Sequence, residues 1–295
     1  MASTRDIRRR IKSIRNTAQI TKAMQMVASS RMKRAQEMAL QGRPYSEMIN
    51  RILATGHGEN LSLDTHPLMM RRTTTRKCVL LISTDKGLCG GLNTNLLKLV
   101  LDYPRETPFI TVGKKGKQFL TRTGRKILAD FPTSDPIRFQ EAKGVAKYLI
   151  DAFTDGEMDS VDILYTNFVN TIRQEPIKLP LLPLGCKLQV STGDLRDVHS
   201  GEQSSGKADT VEPLFEPDQA TVLSELLPHA VTYQIWHCLL EARASEHSAR
   251  MVAMKNATDN AKQIIKDLTL EYNKIRQSAI TTEILEISTA AAAMQ

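Results

Sequence analysis

Ile7-Arg-Arg-Arg-Ile11-Lys-Ser-Ile14-Arg-Asn-Thr-Ala18-Gln-Ile-Thr21, continued by Ala28, Met32, Ala35 and Ala39, sets small or apolar residues at alternating intervals of four and three. Only Gln25 interrupts the run. That alternation is the seam of a coiled coil, and its alanines predict a close approach of two helices. A single long helix cannot bury such a seam alone. A comparable stripe, Ile264, Leu268, Tyr272, Ile275 and Ala279, lies near the other end of the chain. The two stripes are expected to pair with each other, antiparallel, within one chain. The alternative is two separate helices that each cover a central domain.

The helix breakers mark the rest of the architecture. All 15 glycines and all 12 prolines lie between Gly42 and Pro228, so His229 to Gln295 is a run of 67 residues without either. As one helix it would extend roughly 100 Å at 1.5 Å per residue. The middle alternates strands and helices. Cys78-Val-Leu-Leu-Ile-Ser83 reads as a buried parallel strand, followed by a glycine loop and a helix from Asn93 to Tyr103. Phe109–Val112 and Val161–Thr166 read as further strands, and Lys114–Leu120 and Glu141–Phe153 as helices. The expected fold is therefore an antiparallel coiled coil of N- and C-terminal helices with a central Rossmann-like, doubly wound α/β domain. The boundaries are a helix over 1–56, the α/β domain over 74–192, an exposed loop over 193–213 and a helix over 218–295. Gly193 to Asp209 is polar and glycine-rich, which suits an exposed loop.

Charge narrows the function classes. The chain carries a net +8, and eleven basic residues between Met1 and Arg43 stand against only Asp6 and Glu37. One end is a basic rod, which implies an anionic partner. Its Arg-rich, acid-poor composition also fits a mitochondrial presequence, but the seam running through it favours a mature helix. No stretch approaches the ~20 apolar residues of a membrane span. The four cysteines, Cys78, Cys89, Cys186 and Cys238, form no C-x-x-C pair, which excludes a zinc ribbon and fits a reducing compartment.

The chemical motifs weaken on inspection. Thr84-Asp-Lys-Gly-Leu-Cys-Gly-Gly-Leu-Asn93 stands where nucleotide folds place phosphate, yet its glycines at 87, 90 and 91 are not G-x-G-x-x-G. A tight turn that brings helix close to strand is the simpler reading. Gly201-Glu-Gln-Ser-Ser-Gly-Lys-Ala208 fits G-x-x-x-x-G-K but has Ala208 where a P-loop needs Ser or Thr for Mg²⁺. His237 and Glu241, at i and i+4, could hold a metal; a helix surface pair is the expectation. Glu271, Glu283 and Glu286 with Lys274 and Arg276 read as a solvated helix face. No catalytic, cofactor-binding or metal-ligating residue is assigned. The residues alone describe a non-enzymatic coiled-coil rod with an α/β domain. A nucleic-acid-binding coiled coil remains as an alternative, weakened because Met1 to Arg43 contains no aromatic to stack on bases.

Three ordered motifs carry a resemblance. Ile7-Arg8 … Ile11-Lys-Ser-Ile-Arg-Asn-Thr17 and Ile20-Thr-Lys-Ala-Met-Gln-Met-Val-Ala28 open the chain, Asp85-Lys-Gly-Leu-Cys-Gly-Gly-Leu-Asn93 marks its middle, and Ala244-Ser-Glu-His-Ser-Ala-Arg-Met-Val-Ala-Met-Lys-Asn-Ala-Thr-Asp-Asn-Ala261 with Tyr272-Asn273, Arg276-Gln277 and Ile280-Thr-Thr-Glu-Ile284 closes it. Together they resemble the gamma subunits of F-type ATP synthases, with Gly193 to Asp209 unmatched. The family signature usually has glycine where this chain has Ala290, and alanine is the better helix former by about 1 kcal/mol. The inserted dithiol of the light-switched chloroplast forms is also missing, so redox control is not expected.

The resemblance implies a rotary shaft with no active site or cofactor of its own. It would stand in a ring of alpha and beta subunits, with its foot on the epsilon subunit and the membrane c-ring. It would be peripheral to the cytoplasmic face of a bacterial plasma membrane, neither inserted in it nor bound to nucleic acid. By the same resemblance, Arg276, Gln277 and Thr281 match positions that hydrogen-bond a beta-subunit loop, and Met24 lies beside an acidic beta segment farther down.

Overall fold

The computed structural model describes residues 4–55, 66–70, 72, 76–184, 216 and 218–293. The expected loop over 193–213, with the P-loop-like Gly201 to Ala208 inside it, lies outside the described residues. The chain divides into two compact units, Met1–Ala28 with Met251–Gln295, and Ser29–Arg250. Two helices contribute to both units: α1 (Thr4–Thr55) and α5 (Gln219–Ala293).

In the first unit the helices pair along the predicted seam. Arg8 Nη2 donates to the Tyr272 hydroxyl at 2.5 Å with its guanidinium over the ring, and the Thr21 and Thr258 hydroxyls meet at 2.7 Å. From Arg8 to Thr21 the first strand of the pair advances 13 residues while the second retreats 14, from Tyr272 to Thr258, so they run antiparallel. Ile7 and Ala28 are buried, and Ile11, Ile14, Ala18, Thr21 and Gln25 are half-buried, so the polar interruption keeps its place in the seam. The C-terminal stripe needs a correction of one residue. Ile264 is 45% exposed, and the covered positions are Met254, Thr258, Ala261, Ile265, Leu268, Tyr272 and Ile275. Both registers have helical spacing, but only this one alternates four and three in step with α1. Ala279 is exposed as well, as is every residue from Arg276 to Ala290.

The second unit holds the α/β domain. Its elements are β1 (Lys77–Ile82), α2 (Leu92–Leu101), β2 (Phe109–Val112), α3 (Lys114–Arg122), β3 (Ile127–Phe131), α4 (Phe139–Thr154), β4 (Ser160–Phe168) and β5 (Gln174–Leu182). The sheet order is β3-β2-β1-β4-β5. All neighbours are parallel except β5, which runs antiparallel to β4. Alternate residues of β1 feed opposite faces. Val79 and Leu81 pack under α2 and α3 with Leu96, Val100 and Leu120. Cys78, Leu80 and Ile82 pack under α4 and the start of α5 with Val145, Leu149, Leu227, Val231 and Ile235. Helices on both faces make the domain doubly wound, as expected.

Two details of the helices depart from the breaker argument. α5 begins ten residues before His229 and contains Pro228, and α1 runs on through Gly42 and Pro44. Proline removes one backbone hydrogen bond, but Leu223, Leu227, Ala230 and Val231 around Pro228 are buried in the core, so packing outweighs that loss. Gly42 permits a close crossing: the Tyr233 hydroxyl donates to its carbonyl, and a Cβ there would stand 2.4 Å from that hydroxyl oxygen.

Candidate functional site

In an open α/β sheet the ligand crevice lies beyond the carboxyl ends of the strands, where the strand order reverses. Here that point lies between β1 and β4. The loop after β1 turns sharply, with Leu88 at φ 63° and Gly90 at φ 59°. Asn93 at the start of α2 ties it down, donating to Thr84 Oγ1 at 2.8 Å and Cys89 Sγ at 3.3 Å. Among the described residues no ligand-sized space remains above it. The residual void is ≈ 10 Å³, lined by Thr84, Asn93, Thr166, Arg243 and Glu246, against several hundred Å³ for a nucleotide-sized pocket.

α5 fills the crevice with charge. Arg243 Nη2 donates to Asp85 Oδ2 at 3.0 Å and Thr133 Oγ1 at 2.7 Å, and its Nη1 to Glu246 Oε2 at 2.7 Å. Arg250 Nη2 donates to Glu246 Oε1 at 2.7 Å and to the Lys86 and Gly87 carbonyls at 3.3 and 3.2 Å. Asp85 Oδ1 accepts the Lys114 backbone N–H at 3.1 Å, and Ser245 donates to the Thr166 carbonyl at 3.1 Å. The side chains of Arg243, Glu246 and Arg250 are 10%, 5% and 11% exposed. Burial alone would lower the Arg243 pKa; Glu246 and Asp85 more than offset it, and it lies above its ordinary value. The glycine loop is thus a socket for a helix. The tight-turn reading was right about its shape, but the sequence did not reveal the socket's occupants. Their signal was present: Arg243, Glu246 and Arg250 lie at i, i+3 and i+7, one face of a helix whose flanks are apolar.

His237 and Glu241 are not the expected surface pair. Both are buried, with His237 Nδ1 3.7 Å from Glu241 Oε1, and the Tyr165 phenol, pushed up by burial, faces Cys238 and Glu241. Among the described residues no three metal-ligating side chains come together. Cys78, Cys89 and Cys238 are buried free thiols, and burial raises Cys78 to about 12, which makes it a poor nucleophile. Cys186 lies outside the described residues.

Arg276, Gln277 and Thr281 all lie on the exposed end of α5. Thr281 returns its hydroxyl to the Gln277 carbonyl at 2.9 Å, which leaves that side chain's methyl and oxygen lone pairs outward. At 100° per residue Gln277 and Thr281 are ~40° apart and Arg276 ~140° from Thr281, a broad patch rather than a stripe. Met24, half-buried on α1, is not beside them. With Thr21 opposite Thr258, it stands some 20 residues, about 30 Å, back along the pair. The basic side chains from Arg8 to Lys22 are exposed along α1.

A family model described as ATP synthase matches residues 3–294. An ATP synthase gamma chain from Opitutus terrae is 49% identical over 292 residues, covering 98% of each chain. Another, from Methylacidiphilum infernorum, is 45% identical and covers 100% of both. A chain in the cryo-EM structure of the Euglena gracilis mitochondrial ATP synthase, OSCP/F1/c-ring in rotational state 3, shares the fold. It has a TM-score of 0.66 at 19% identity and covers 99% of this chain and 94% of its own.

Proposed function

The chain belongs to the ATP synthase gamma-chain family, and on that premise we propose that it is the rotary shaft through which ion flow at a c-ring drives ATP synthesis on partner subunits. The observation that carries this reading is the seam-paired helix α5 continuing as a fully exposed tip from Arg276 to Ala290. Such a tip can turn inside a ring of alpha and beta subunits and bias each beta site among states of different nucleotide affinity. The exposed basic face of α1 suits acidic beta segments. An epsilon subunit and the c-ring complete the set of partners, and through them the chain sits peripherally at the cytoplasmic face of a bacterial plasma membrane. No helix among the described residues is long and apolar enough to cross a membrane. The subunit hydrolyses no ATP itself, because α5 occupies the crevice where such folds bind nucleotide.

Arg276, Gln277 and Thr281 are the grip on one beta-subunit loop, and Met24 is a second contact lower down. Arg276 supplies bidentate, charge-assisted bonds to a carboxylate, which lysine replaces poorly. A flexible apolar Met24 slides past an acidic segment that would hold a cation. The double substitution Arg276→Ala with Gln277→Ala leaves the fold intact, since both side chains are exposed. Losing a hydrogen bond to a charged group, about 1.5–3 kcal/mol, lowers ATP synthesis by at least about tenfold in membrane vesicles of checked subunit stoichiometry. Wild-type synthesis in a fully assembled mutant would show that the grip lies elsewhere.

A further inference from the structure

The charges in the crevice do more than exclude a ligand. We propose that Asp85, Arg243, Glu246 and Arg250 form an ionic lock that fixes the rotational setting of α5 against the sheet, and that this lock, rather than apolar packing, carries torque from the α/β domain into α5. The proposal rests on the shaft reading above and names the residues through which that shaft is driven.

Apolar packing holds α5 on the sheet without fixing its angle sharply. Leu227, Val231 and Ile235 hold α5 against the core through dispersion and burial, whose energy changes more gradually with a small roll of the helix than that of a directed bond. Hydrogen-bonded ions behave differently, because their energy depends steeply on distance and angle. Arg243, Glu246 and Arg250 share one face of α5, and their partners stand on two separate loops. Asp85, Lys86 and Gly87 follow β1, while Thr133 follows β3. A roll of about 30° moves atoms at the helix's ~5–6 Å outer radius by about 3 Å, enough to break every one of these bonds together. Glu246 joins the two arginines, so neither can yield alone. Asp85 also receives the first N–H of α3, which anchors the socket to the sheet.

Asp85→Asn is the sharpest probe. Its Oδ1 still accepts the Lys114 N–H, but its new NH₂ faces the Arg243 guanidinium, where two donors oppose each other. In membrane vesicles the assembled Asp85→Asn complex should continue to hydrolyse ATP. Its ATP-driven ion pumping per ATP hydrolysed should fall at least threefold, most strongly against a large opposing gradient. Asp85→Glu should restore much of that ratio, which a merely structural aspartate would not require. Thr133→Val removes one acceptor of Arg243 without stranding a charge, and should give a smaller loss in the same direction. If Asp85→Asn fails to assemble, Thr133→Val carries the test. Wild-type pumping per ATP in an assembled Asp85→Asn complex, or in Thr133→Val when that variant stands alone, would overturn the lock. It would leave the shaft reading untouched. Failure of the unsubstituted chain to assemble with ATPase subunits would instead remove the shaft itself.

Discussion

His247 lies one residue from the lock and is 3% exposed. Its Nε2 stands 3.6 Å from Asp135 Oδ2, and its Nδ1 3.4 Å from Arg250 Nη1. Arg31, Arg34 and Arg243 line the same cavity. Burial lowers its pKa most; Glu246 and Asp135 oppose that, Arg250 and Arg243 reinforce it, and the net shift is downward from 6.5. A base with a depressed folded pKa is neutral in both states at high pH and costs nothing there. As pH falls below about 6.5 the unfolded chain takes up the proton first, so stability drains away until the folded imidazole also titrates. The purified chain should therefore melt at a lower temperature near pH 5.5 than near pH 7.5, and His247→Gln should flatten that dependence. His66, also lowered by burial, accounts for a remaining slope. An unchanged pH dependence in His247→Gln would assign the effect to other groups. At this scale the sequence was least informative: a histidine four residues from a glutamate looks the same whether water or a sheet covers it, and His237 with Glu241 went to the wrong side.

The helix pair was legible because its code is local and repeated. Alternation of four and three over nine positions identified the α1 seam, although the shorter C-terminal stripe was set with Ile264 in the place of Ile265. The hydroxyl contact between Thr21 and Thr258 now fixes the register. With the four native cysteines replaced by alanine, Thr21→Cys with Thr258→Cys should oxidise to a disulfide within one chain, seen as a faster non-reduced band on a gel. The two hydroxyl oxygens they replace stand 2.7 Å apart, close to the ~2.05 Å between bonded sulfurs. Exclusively dimeric products would refute the intramolecular pair. Strands were read where they are buried on both faces, as in β1, and missed at the edges. β5 carries Pro176 and Pro180, which demote a central strand but suit the edge position it holds beside β4. β3 alternates half-buried and exposed residues over only five positions, a weak signal beside the continuous apolar run of β1.

The fold of the whole chain followed from where its breakers lie, but the state of its central crevice did not. Asp85 and Arg243 are 158 residues apart, and although Arg243, Glu246 and Arg250 mark one helix face, nothing near Asp85 indicates that this face will occupy the nucleotide position. The purified chain should show no micromolar, Mg²⁺-dependent heat of ATP binding in calorimetry; a measurable isotherm would mean that α5 leaves the crevice. Arg276, Gln277 and Thr281 were proposed as a grip by resemblance alone, since a solvated arginine on a helix carries no local mark of a partner. The antiparallel register of the first unit, with Arg8 opposite Tyr272 and Thr21 opposite Thr258, also restricts how the protein can change in length. A single-residue deletion between Ile7 and Ala28 would turn the stretch beyond it by about 100° and lift the seam off its mate. A deletion tolerated there must remove a whole heptad, and the same number of residues must vanish between Met254 and Ile275 if the tip is to keep its reach. Gaps in the two terminal helices of natural variants should therefore arise in matched pairs, as insertions and deletions that co-vary across the full span of the chain.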